Sequence, residues 1–135
     1  MALRSYRELK VWQKSMDLVV EVYQVVKKLP REERFELGSQ MRRAAVSVPS
    51  NIAEGAARSY TPEFIKHLSI ASGSLAELET HLLLAQRTGM VNTETTDGCL
   101  TRCDEVSRML SGLDHSLRRR AEHRRREAAG VVDAE

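Results

Sequence analysis

Cysteine occurs only twice in the 135-residue chain, too rarely for a disulfide framework, and nothing in that usage argues for secretion. Three prolines, seven glycines and 4% aromatic residues are too few for the turn-rich strands of a sandwich or barrel. No apolar run is long enough to span a membrane, and the opening MALRSYRELK is too charged for a signal peptide. A cytoplasmic protein without membrane contact is the expectation. A glycine-rich phosphate loop and a nucleophile motif are also missing, so no catalytic residue and no cofactor are assigned.

What the chain does have is apolar residues in steps of three and four, the spacing that stacks side chains on one face of an α-helix. The first helix is expected from Tyr6 to Leu29, with Pro30 just past its end. It carries two seams. One reads Leu9, Trp12, Met16, Val19, Tyr23, Val26; the other reads Val11, Leu18, Val22, Val25, Leu29. Two readings of the pair stand. They form one broad core face, or the second seam is an oligomer interface buried against another copy of the chain.

After a charged connection from Pro30 to Glu36, the stretch LGSQMRRAAVSVPSNIAEG from Leu37 to Gly55 holds the second helix, which ends around Gly55 to Ser59. Pro49 removes a backbone hydrogen bond to the carbonyl four residues back and crowds the preceding turn, which predicts a kink near Ser47 to Pro49. Ser47, Ser50 or Asn51 is placed to satisfy the backbone groups freed. The third helix is expected to start with Thr61 as N-cap and Pro62 in the first turn. Its seam is Phe64, Leu68, Ala71, Leu75, Leu78, Leu82, Ala85, and Gly89 marks its stop. Ser69, Ser72, Gly73 and Ala76 make a patch of small residues where another helix could approach closely.

The fourth helix is expected from near Thr93 past Leu117, with Cys99, Cys103, Val106, Leu110, Leu113 and Leu117 in line. Four long amphipathic segments with short connections predict an all-α, antiparallel up-and-down four-helix bundle over residues 1–117. The apolar period is lost from Arg118. Residues 118–135 are expected as a fraying helical extension that passes into a flexible, arginine-rich tail.

Candidate chemistry is sparse. Cys99 and Cys103 lie four apart, and with His67, His81 and His115 they raise the question of zinc. Both cysteines sit on a core seam, however, and no CxxC or close histidine pair completes a shell. Core packing is the preferred reading and no metal is assigned. Glu54, Glu77 and Glu79 could pair as acid–base carboxylates, but no Glu-x-x-His pattern accompanies them. Ion pairs of Glu54 or Glu77 with Arg42 or Arg43 are expected instead, and an enzyme is not.

Charge is unevenly spread. Residues 1–117 balance 15 Lys+Arg against 15 Asp+Glu, whereas residues 118–135 hold six arginines and four acids. Arg118, Arg119, Arg120, Arg124, Arg125 and Arg126 are therefore the leading candidates for phosphate contact, against the alternative of a merely solvated tail. Arg42, Arg43, Arg58 and Lys66 come second, because the neutral body lacks the net basic footprint usual in nucleic-acid modules.

The segments LKVWQKSMDLVVEVYQ, LPREERFELGSQMRRAAVSVPSNIAEG and SGSLAELETHLLLA, in that order, resemble the four-helix bundle family of 23S ribosomal RNA intervening-sequence proteins. The likeness runs from about Tyr6 to Leu117 and is most specific from Gln40 to Gly55. The fourth helix matches in pattern alone. The resemblance implies a bacterial, non-enzymatic bundle that assembles into a homo-oligomer, a ring of five, and it suggests RNA as partner. Family members are often encoded within insertions in ribosomal RNA genes. A more distant similarity, to accessory proteins of diversity-generating retroelements, implies the alternative of an adaptor for an enzyme such as a reverse transcriptase.

Overall fold

The computed structural model describes residues 5–130. Four helices arise where the apolar period is strongest: α1 (Lys10–Lys28), α2 (Leu37–Ala57), α3 (Thr61–Arg87) and α4 (Thr93–Ala128). Short 3₁₀ turns at Tyr6–Glu8 and Arg31–Glu33 precede α1 and α2, and no strand occurs among the described residues. Each helix packs against two others, α1 on α2 and α4, and α3 on α2 and α4, so the four close around one core.

That core takes one stripe from each helix. Val11, Leu18, Val22 and Val25 come from α1, and Met41, Ala45, Val48 and Ile52 from α2. Leu68, Ala71, Leu75, Leu78 and Leu82 come from α3, with Cys103, Val106 and Leu110 from α4. Polar pairs fix how the stripes face each other. The Arg102 Nε on α4 donates to both carboxylate oxygens of Glu21 on α1, at 2.9 and 3.1 Å, and Lys14 pairs with Glu105 at 3.4 Å. Between α2 and α3, the hydroxyls of Ser47 and Ser74 meet at 2.7 Å.

The helix-one seams are assigned the opposite way from one of the two sequence readings. Val11, Leu18, Val22, Val25 and Leu29, considered as an oligomer interface, are all at most 4% exposed within the single chain. They are core. The seam completes through Ser15, itself buried, whose hydroxyl donates to the Trp12 carbonyl at 2.8 Å and so enters the interior with its hydrogen bond made. The other seam is the one turned partly outward, with Met16 and Tyr23 exposed.

Helix boundaries differ in detail from the sequence reading. The first helix does not begin at Tyr6, because Leu9 is extended (φ −74°, ψ 124°) and separates the 3₁₀ turn from α1. The α3 N-cap is Tyr60 rather than Thr61, one residue earlier. α2 is one element through the buried Pro49. Proline has no amide to offer the Ala45 carbonyl. Nearby, the Asn51 side-chain amide donates to the Ser47 carbonyl at 2.9 Å and to its hydroxyl at 3.0 Å. At the far end of α2, Gly55 lets α3 come close: a Cβ there would lie 2.8 Å from His67 Cβ and 2.9 Å from Phe64 Cδ1. Gly89, at φ +73°, closes α3, and the Met90 amide reaches back to the Ala85 carbonyl. α4 continues unbroken across Leu117, where the apolar period is lost, and stays helical to Ala128. Residues 131–135 of the expected tail lie outside the described residues.

Candidate nucleic-acid interface

The motif SVPSNIAEG builds a polar chain along the contact of α2 with α3. Ser74 meets Ser47, Asn51 donates to Ser47, and the Asn51 side-chain Oδ1 lies 3.0 Å from Nδ1 of the buried His67. On its other side His67 Nε2 is 3.8 Å from Glu54, which also pairs with Arg58 at 3.1 Å. The sequence singles out His67 only as a zinc ligand. Its asparagine partner lies sixteen residues away on another helix and is not readable from spacing along one helix. One helix turn from Glu77, His81 is equally buried, with Nε2 4.0 Å from that carboxylate and Nδ1 without a hydrogen-bond partner among the described residues.

These contacts overturn the ion pairs expected for Arg42 and Arg43. Among the described residues neither arginine pairs with Glu54 or Glu77, whose partners are Arg58 and the two histidines. Arg42 instead donates to the Ser39 hydroxyl at 3.3 Å and sits over the Tyr23 ring at 6.0 Å. Arg43 is exposed between two shallow clefts, one reaching Ser74 and Glu77 and the other Tyr23 and Val46.

Cys99 and Cys103 are free and buried, and no cluster of three potential metal ligands occurs among the described residues. Burial, with Glu21 nearby, pushes the Cys99 thiol up to about 12, and burial pushes Cys103 up as well. Both therefore hold their protons at neutral pH, as apolar packing groups do. Burial, helped by Asp104, raises the Glu79 carboxyl.

The strongest concentration of positive charge is the last three turns of α4. Arg118, Arg119, Arg120, Arg124, Arg125 and Arg126 are all exposed there. At 3.6 residues per turn they point to several sides of one rod. Arg118, Arg124 and Arg125 line a cleft between α4 and the start of α3, floored by Tyr60, Pro62, Ile65 and Ala121. Arg124 Nη1 donates to the Thr61 hydroxyl at 3.4 Å, and Arg118 is held by Asp114 at 2.9 Å. Arg119, Arg120 and Arg126 line a second groove with His115 and His123.

Of the secondary candidates, the fold brings Arg58 and Lys66 to this end of the bundle, one just before and the other just after the cleft segment 59–65. Arg42 and Arg43 lie roughly 24 Å back along α2 at about 1.5 Å per residue. The site is thus an arginine-studded helix end beside a cleft of mixed apolar and charged lining, suited to holding a polyanion through many weak contacts.

The family model described as 23S rRNA-intervening sequence protein matches residues 7–112. Among solved structures, the chain is similar to a protein of unknown function from the S23 ribosomal protein family of Bacteroides thetaiotaomicron. The two share 26% identity at a TM-score of 0.72, over 77% of this chain and 97% of that one. A comparison with curated proteins found no match. Among the described residues no helix is long and apolar enough to cross a membrane.

Proposed function

The chain belongs to the 23S rRNA-intervening sequence protein family, and from that premise we propose that it is a non-enzymatic, cytoplasmic RNA-binding protein acting as a homo-oligomer. One observation carries the RNA-binding reading. Six arginines stand exposed on the last turns of α4, Arg118 among them also pairing with Asp114, while Lys14 and Arg102 of the body are held in pairs between helices. Arg118 to Arg126 make most phosphate contacts in this reading. Arg58 and Lys66 extend the surface, and Arg42 and Arg43 form a separate, lesser one.

The subunit is an antiparallel up-and-down bundle with α2 bent at Pro49. Support for the first point comes from the pairing of Lys14 with Glu105 and of Glu21 with Arg102, which run in opposite chain directions. The oligomer face is the outer stripe of α1, where Met16, Val20 and Tyr23 follow steps of four and three, continued by Val46 of α2. All four side chains are exposed in the single chain. In a ring, of five subunits on the family resemblance, the arginine rods repeat and weak contacts combine by avidity.

Two measurements test this. Labelled RNA should bind the full chain at low salt and bind much more weakly once all six arginines are replaced by glutamine; equal binding would overturn the site. Light scattering should give an oligomer that Val20→Asp dissociates into folded monomers, and a wild-type monomer would overturn the assembly.

A further inference from the structure

Aromatic rings are scarce here, with one tryptophan, three tyrosines and two phenylalanines. Four have visible partners. Phe64 is in the core, Tyr6 and Trp12 meet edge to face at 5.3 Å, and Tyr23 lies beneath Arg42. Phe35 is exposed in the acidic connection between α1 and α2. That leaves Tyr60, 63% exposed, on the floor of the cleft lined by Arg118, Arg124 and Arg125.

We infer that this cleft takes single-stranded RNA, with a base stacked on Tyr60 and the flanking phosphates on Arg124 and Arg125. The inference deepens the RNA-binding reading and rests on it. Its basis is the juxtaposition of an exposed ring, an apolar floor and cations, the combination by which proteins hold unpaired bases. A duplex keeps its base faces stacked internally and could use the arginines alone. Pro62, Ile65 and Ala121 supply the apolar wall against which a base loses little by leaving water. Among the described lining residues Glu122 is the one carboxylate against three arginines, which leaves their sum positive. The contact of Arg124 with the Thr61 hydroxyl places its guanidinium beside the residue that follows Tyr60.

The test uses the full chain with two probes of equal phosphate count, oligouridylate and an abasic oligoribose phosphate. Tyr60→Ala should weaken oligouridylate binding about tenfold, leave abasic binding unchanged, and leave the salt dependence of both intact. Tyr60→Phe, which keeps the ring, should bind like wild type. If Tyr60→Ala binds oligouridylate as wild type does, with the salt dependence retained, stacking is overturned and the phosphate reading survives. If the wild-type chain binds neither probe at low salt, both fail. Displacement of oligouridylate by polyglutamate at equal charge would overturn RNA as the ligand of the cleft.

Discussion

The bundle body and the α4 extension use arginine in opposite ways. In the body, Arg102 is only partly exposed and is held by Glu21, Asp17 and Glu105, so its charge joins α4 to α1. The hydrogen bond to Glu21 leads the causes that raise its already high pKa. In the extension, Arg119, Arg120 and Arg125 are exposed and lie outside the core. Side chains buried or ion-paired between helices of the core are committed to folding; exposed ones beyond the core remain available to bind. Net charge over the whole chain hides this division, because the body is neutral and the extension is not.

Breaking the body should therefore unfold the protein, and breaking the extension should not. The largest effect is expected from Val22→Asp, which buries a carboxylate at a position with 0% exposure. Circular dichroism should show loss of helix, whereas Val20→Asp, at 61% exposure on the same helix, should stay folded. Next comes Leu78→Ala, worth about 2–5 kcal/mol in a denaturant titration; a destabilisation under about 1 kcal/mol would remove Leu78 from the core.

Glycine gives a paired test of smaller size. Gly55→Ala pushes a methyl against His67 and Phe64 and should cost about 1–3 kcal/mol. Gly73→Ala meets nothing within 4 Å and should stabilise by up to about 1 kcal/mol. The buried thiols add a pH dependence. Because the folded Cys99 pKa is raised to about 12 from about 9, the unfolded chain loses that proton first. Stability from this group is complete below pH 9 and falls as pH climbs towards 12; Cys99→Ala should lessen that fall, and the part that remains belongs to Cys103, which burial raises from the same ordinary value. The smallest effect belongs to the extension, where Arg119→Ala with Arg120→Ala should shift stability by no more than about 0.5 kcal/mol.

Much of the architecture was legible because apolar periodicity and burial coincide. The α3 seam from Phe64 to Ala85 is buried throughout, and the cysteines packed as the spacing suggested. Helix one misled for a definite reason. Both of its seams have helical spacing, and the true core seam contains Ser15, a polar residue that bonds to its own backbone and so passes as apolar packing. The cleft was only half legible. Its arginines show in composition, but Tyr60 looks like one more loop residue until the end of α4, more than fifty positions later, is laid beside it. Ion pairs were the least readable, since Arg42 faces Ser39 and Tyr23 rather than the acids that charge alone would choose.

The most direct measurement is RNA affinity against salt concentration, for the full chain and for a variant with Arg119, Arg120, Arg124 and Arg125 replaced by glutamine. The account predicts a steep negative slope for wild type, made shallower by about 0.7 for each single-strand phosphate that the variant leaves unneutralised. An unchanged slope in a folded variant would contradict it, placing the phosphate-binding cations elsewhere on the molecule.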